Sequence, residues 1–204
     1  MSESKSGLYE TRDSIYCYKG SNVLINKLNI HDNKILKQAE EKIVATKLFI
    51  LRQNTMIKNF DVNHFKGIHK FLFEDIYPFA GKFRTENIAK GFFSFAEWEF
   101  IEDELSNLLK KLNASNNLKN LKRDEFVKAI AYYLSELNVL HPFREGNGRT
   151  IREFIRELCY VNDYLFDLQK IEPEDFLNAC IKSVVDTSEL EKLIDESLVK
   201  IQTK

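Results

Sequence analysis

The chain has 204 residues, 44% hydrophobic and 30% charged, a size and composition that suit one domain with a real core. Thirty Lys+Arg face 31 Asp+Glu, a net charge of −1, which excludes a global pull toward nucleic acid or an anionic membrane; no direct nucleic-acid binding is expected. The three cysteines, Cys17, Cys159 and Cys180, form no CxxC pair, so neither a disulfide scaffold nor a zinc site is expected, and a reducing compartment is. No secretory signal is read before the first charges, and no apolar run approaches the ~20 residues of a membrane span. The expected location is the bacterial cytosol, or the cytosol of a host or recipient cell after delivery.

Seven glycines and three prolines imply long helices with short breaks. Residues 1–20 are polar, carry Tyr9, Tyr16 and Tyr18, and read as an N-terminal arm; residues 21–204 read as the main domain. A first helix is expected from Asp32 to Gln53, with Ile35, Ala39, Ile43 and Ile50 on its apolar face. A second follows Asp61 and carries Val62, Phe65, Ile68, Leu72 and Ile76, until Pro78 and Gly81 stop it. Residues 82–96 alternate and read as a short β-hairpin around Lys90-Gly91. Helical period returns at Ile101, Leu105, Leu108 and Leu112. After a loop at 113–117, Asp124 is expected to cap a helix carrying Phe126, Ile130, Leu134 and Leu137. Beyond the 141–149 loop comes a helix with Ile151, Phe154, Ile155 and Leu158. Two more are expected near 173–185 and 188–202, the last opened by a capping box of Ser188 and Glu191. The fold class is all-α, a helical bundle with one short β-hairpin.

The chemistry concentrates in HPFREGNGRTIR, residues 141–152. His141 ends an apolar helix, and Pro142 biases it away from helical geometry. Gly146, Asn147 and Gly148 permit tight turns whose N–H groups face inward, an anion nest at a helix start. Arg149 and Arg152 add bidentate donors suited to phosphate. Glu145 supplies a hard oxygen for a Mg²⁺ (or Mn²⁺) shared with phosphates. A histidine beside this cluster can take a proton from a hydroxyl near neutral pH. Taken singly, each has a bland alternative: a structural histidine, a connector loop, a solvated arginine face, a first-turn glutamate. Together they point to transfer of a phosphorus-centred group from a nucleotide to an alcohol. No Walker A pattern is present, so this is not a P-loop enzyme.

The segment resembles the Fic motif, HPFx[D/E]GNGRxxR, with Glu145 at the acidic position. YKGSNVLINKLNIHD (18–32) resembles the lead-in of Fic domains from bacterial effectors and toxins, and GKFRTENIAKG (81–91) resembles their target-docking flap. The resemblance spans roughly residues 16–200. It implies a Fic-type bundle that transfers AMP from ATP to a Ser, Thr or Tyr hydroxyl of a target protein. His141 is implied as base and Glu145 as Mg²⁺ ligand. Gly146, Asn147, Gly148 and Arg149 are implied as phosphate holders, and Arg152 as the γ-phosphate ligand. Lys90 and Gly91 are implied to border the nucleotide and align the target by strand pairing, and Phe143 to be a packing anchor. Phe92-Phe93 and Trp98 are bulkier than the flap pattern, and the adenine pocket has only candidates near Ser183–Asp186.

Fic enzymes are often restrained by a helix with the pattern [S/T]xxxE[G/N]. Ser6–Glu10 and Thr187–Glu191 match it only in part, which points to a separate, small antitoxin-like inhibitor. Two other readings stand beside AMP transfer. One is transfer of another group, such as phosphate, UMP or phosphocholine, although Doc-type kinases of this superfamily carry Lys where Gly148 stands. The other is a non-catalytic helical binding module.

Overall fold

The computed structural model describes residues 14–53, 59–91 and 93–201. Tyr9, the Ser6–Glu10 pattern and Phe92 lie outside them. Among the described residues the chain forms seven α-helices and two small antiparallel ribbons, so the expected all-α class holds. The helices are α1 (Asn33–Gln53), α2 (Val62–Phe73), α3 (Ile101–Ala114), α4 (Arg123–Leu140), α5 (Asn147–Tyr160), α6 (Pro173–Lys182) and α7 (Ser188–Ser197).

Helix α5 is central. It packs against α2, α4 and the strand that follows it, and buries Ile151, Phe154, Ile155 and Leu158 completely or nearly so. Asp61 starts α2 as expected: its carboxylate accepts the His64 N–H at 2.8 Å. Phe65, Ile68, Leu72 and Phe73 then face the core. Helices α3 and α4 bury the faces that their spacing predicts, Ile101, Leu105, Leu108 and Leu112 on one and Phe126, Ile130, Leu134 and Leu137 on the other.

The expected face of α1 is rotated. Leu36, Glu40 and Val44 are buried, whereas Ile35 and Ile50 are 56% and 42% exposed. The reason is Glu40, whose carboxylate points inward to an arginine of α5; an ion pair, not the count of isoleucines, sets the helix's rotation.

The capping expectations need two corrections. Helix α4 begins after Lys122, whose N–H donates to Glu125 at 3.2 Å; Asp124 sits in the first turn, where its charge suits the helix dipole. Thr187 occupies the N-cap position of α7 without a side-chain cap bond, and no Ser188–Glu191 box forms. The Ser188 N–H and hydroxyl both go to Asp186, and Glu191 accepts from Thr187 Oγ1 at 2.6 Å.

The last helix also ends earlier than expected. Leu198–Lys200 (β4) leaves α7 and pairs antiparallel with Tyr164–Phe166 (β3), in the register Tyr164↔Lys200, Leu165↔Val199, Phe166↔Leu198. Leu198 continues the four-residue spacing of Leu190 and Ile194, and the strand buries it equally well, so period alone does not separate the two states.

The expected hairpin is present but short. Ala89–Lys90 (β1) pairs with Phe93–Ser94 (β2), and Gly91 turns the chain at φ 59°. The described end of the N-terminal arm packs on the fold near its base. Tyr16 lies edge-on to Phe79, and its hydroxyl accepts the Thr85 N–H at 2.9 Å.

Gly146 is the tightest glycine. It caps α5 at φ 81°, ψ 5°, and a Cβ there would lie 2.3 Å from Phe73 Cζ. Gly146→Ala should therefore cost about 1–2 kcal/mol in backbone strain and roughly 1–3 kcal/mol more in overpacking. Urea denaturation checks this; a midpoint equal to wild type would contradict the packing described.

Candidate active site

The turn between α4 and α5 has no secondary structure, yet it is rigidly held. The Asn147 side chain, 1% exposed, accepts the Phe143 N–H at 2.8 Å and donates to the Phe143 carbonyl at 2.7 Å. Phe143, fully buried, stacks on His69 at 3.7 Å and packs against Phe65. His69 bridges two loops: its Nδ1 accepts the Gly81 N–H at 2.8 Å and its Nε2–H donates to the Glu145 carbonyl at 2.9 Å. These partners need a neutral ring, and burial holds the His69 pKa down at about 3.

The turn delivers the start of α5. The N–H groups of its first turn have no partner inside the helix, so they present positive partial charge. Arg149 and Arg152 follow on the same helix. Arg149 donates to Glu40 at 2.6 Å, lies 3.5 Å from Glu145, and covers the Phe73 ring at 4.7 Å. The Tyr77 hydroxyl closes this group onto the second Glu40 oxygen. Arg152 is largely buried; its surroundings, and the positive charge of Arg149 and Arg52, disfavour its charged form. No carboxylate pairs with Arg152 among the described residues. Gly148 leaves room for it: a Cβ there would lie 3.1 Å from Arg152 Nη1.

Glu145 accepts the adjacent Gly146 N–H at 2.9 Å. Burial, and then the charge of Glu40, push its pKa up. Among the described residues no cluster of three metal-ligating side chains forms. One carboxylate is nonetheless a fitting donor set for Mg²⁺, which takes most of its remaining ligands from substrate phosphates and water.

His141 occupies the C-cap of α4 in the left-handed region, φ 44° and ψ 58°. Its Nδ1 lies 3.1 Å from the Asn138 carbonyl. A carbonyl only accepts, so Nδ1 carries the proton and the Nε2 lone pair is the basic one. Phe95, just beyond β2, stacks on the imidazole at 3.9 Å. Burial above all, with Arg84 and Lys90 adding positive charge, holds the His141 pKa down at about 3. The imidazole is therefore neutral across the physiological range.

The structure thus brings together His141, Glu145, Gly146, Asn147, Gly148, Arg149 and Arg152, with Lys90 close enough to act on His141 by charge. The Asn147 amide serves the turn on both its polar ends. Ser183, an adenine-pocket candidate, packs α6 on α4 through Ser135, and Asp186 accepts the N–H and hydroxyl of Ser188. Glu40, His69, Arg84 and Phe95 are site residues outside the motif that sequence reasoning did not single out. For Glu40, a carboxylate at the centre of a helix face was the available hint.

The model of the Fic/DOC family matches residues 59–159. The chain is 37% identical over 182 residues to the protein adenylyltransferase VbhT of Bartonella schoenbuchensis, covering 89% of this chain and 38% of VbhT. It is 35% identical to the probable protein adenylyltransferase y4lH of Sinorhizobium fredii, covering 86% of this chain and 90% of y4lH. The chain belongs to the Fic/DOC family. Solved Fic structures agree in fold. BepC of Bartonella tribocorum, with bound AMPPNP, superposes with a TM-score of 0.86 at 28% identity, over 92% of this chain and 97% of that one. The Fic domain of a Bartonella quintana effector, with bound ADP, gives 0.86 at 29% identity, over 92% and 95%. The expected enzyme class, protein adenylyltransferase, is the one these curated Fic relatives carry.

Glu40 ties α1 to the motif through Arg149 and Tyr77. Glu40→Ala leaves a largely buried guanidinium and a hydroxyl without their acceptor, at a cost of about 3–5 kcal/mol. Glu40→Gln keeps an acceptor and should lose less. Denaturant titration of both variants checks this; equal stability of Glu40→Ala and wild type would exclude a structural role for the pair.

Proposed function

We propose that this chain transfers AMP from ATP to a Ser, Thr or Tyr hydroxyl of a target protein. The observation that carries the reading is a neutral imidazole, its Nδ1 committed to a carbonyl, on the residue that leads into an arginine-flanked helix start. In this reading the target hydroxyl gives its proton to His141 Nε2 as its oxygen bonds the α-phosphorus. The bond from that phosphorus to the β-phosphate bridge breaks, and pyrophosphate leaves. The first-turn N–H groups from Gly146 to Arg149 hold phosphate oxygens, and Arg149 adds a donor. Arg152 takes the γ-phosphate, so that the α-phosphorus faces the base. Glu145 would hold Mg²⁺ (or Mn²⁺), which supplies neutralising charge for the phosphates.

Lys90 and Gly91 border the nucleotide, and the β1–β2 flap docks the target by strand pairing. Gly148 keeps Arg152 in place, which supports nucleotidyl over phosphoryl transfer. Residues 21–204 form the catalytic unit in this reading, with 1–20 as its arm. No helix among the described residues is long and apolar enough to cross a membrane. The work is assigned to a bacterial cytosol, or to a host or recipient cell: the solved relatives include translocated effectors.

The expected outcome with α-labelled ATP and cell lysate is labelled protein whose adduct, by mass spectrometry, is AMP. His141→Ala should lose about 10²–10⁴-fold in labelling while ATP binding persists, and excess EDTA should abolish labelling. A different adduct, or wild-type labelling by His141→Ala, would overturn the assignment.

A separate small protein is the proposed restraint. Two observations support it: Arg152 lacks a carboxylate among the described residues, and Glu191 is engaged by Thr187. A carboxylate from a partner would pair with Arg152 and exclude the γ-phosphate. Purified wild type should then label itself about as strongly as Glu10→Gly and Glu191→Gly. A silent wild type awakened by either substitution would place the brake within the chain.

A further inference from the structure

We propose that Arg84, 57 positions before His141 and outside the motif, is a positioning residue that sets the backbone and tautomer of the His141 imidazole. The inference rests on His141 acting as the base. Arg84 is 1% exposed, and its guanidinium gathers backbone carbonyls from two elements. From the exit of α4 it takes His141 at 2.9 Å through Nε and Leu140 at 3.3 Å through Nη2. From the two sides of the flap it takes Glu86 at 2.8 Å through Nη1, and Ala96 through Nη2. Its own N–H donates to Pro142 at 2.9 Å. The three carbonyls of residues 140–142 are thus all held by one residue.

Carbonyls at a helix exit lack intrahelical partners and carry the negative end of the dipole. A planar cation with several fixed donors suits them; a lysine, with its compact ammonium, cannot reach all of them at once. His141 meanwhile adopts a backbone conformation that L-residues disfavour. The Arg84 bond to its carbonyl locks that conformation, and with it the approach of Nδ1 to Asn138. Among the described groups facing the imidazole are Asn138 from α4, Arg84 and Lys90 as cations, and the Phe95 ring. Arg84 also bonds the flap on both sides of its hairpin, so a shift at the target-docking strand reaches the base through one side chain.

The test uses the full chain with ¹⁵N-labelled histidine, the His141 signals being assigned by their loss in His141→Ala. Arg84→Lys keeps the charge but loses the fan of donors; Arg84→Gln loses both. For Arg84→Lys we expect a folded protein, unchanged binding of a fluorescent ATP analogue, and a mixed His141 tautomer in place of a single Nδ1–H form. Its kcat should fall by about 10²-fold with little change in KM for ATP. For Arg84→Gln the imidazole pKa should also rise, because a cation that disfavours imidazolium has gone. His141 signals that keep the wild-type tautomer and titration in folded Arg84→Lys would overturn the proposal, whatever happens to Arg84→Gln. The NMR readout needs no turnover, so it stands even if the transferred group proves not to be AMP.

Discussion

One amide closes the active-site turn. Asn147 grips both polar atoms of the Phe143 backbone, and this helps fix the path between α4 and α5. Phe143 then falls into the slot between Phe65 and His69. The Glu145 carbonyl meets the other edge of His69, and Gly146 passes under the Phe73 ring where no side chain fits. A turn built of polar backbone, placed deep in a helical bundle, needs each of its groups answered. Here three residues, Asn147, His69 and Arg84, answer most of them. The start of α5 is aimed as a by-product of that satisfaction.

Charge is distributed with the same economy. Glu153, buried, takes both Arg52 and Arg156, and Glu40 takes Arg149 and Tyr77. Glu86 takes Arg144 at 2.9 Å. These three carboxylates are each matched by a guanidinium from another turn or another helix, as a low-dielectric setting demands, and buried Glu157 is matched by His64 at 2.6 Å. Arg152 is the departure from this matching. A largely buried cation with other cations for neighbours is costly to hold unless an anion pairs with it.

The motif at 141–152 was legible because its chemistry is local: histidine, carboxylate, glycines and arginines lie within one turn and the first coil of one helix. The faces of α2, α3, α4 and α5 were legible for the same reason, since each is a regular spacing of large apolar residues. What was not legible depends on partners far away in sequence. Glu40 rotates α1 toward an arginine 109 positions later. His69 reads as one more polar residue on a helix until the turn comes to rest on it. Arg84 looks like flap surface, yet it is among the most buried side chains in the chain. Leu198 satisfies helix and strand alike, and only its pairing with Phe166 decides. In each case the deciding partner is tertiary, and no window of the sequence contains it.

The left-handed backbone at His141 carries an evolutionary implication. Holding a non-glycine residue there costs roughly 1–2 kcal/mol, and burying an imidazole that must stay uncharged adds to the expense of folding. A glycine or asparagine at this position would relax the chain while removing the imidazole. Selection for thermal robustness alone would therefore drift away from histidine at this position. Chains that keep the bundle but carry glycine or asparagine here should be harder to melt.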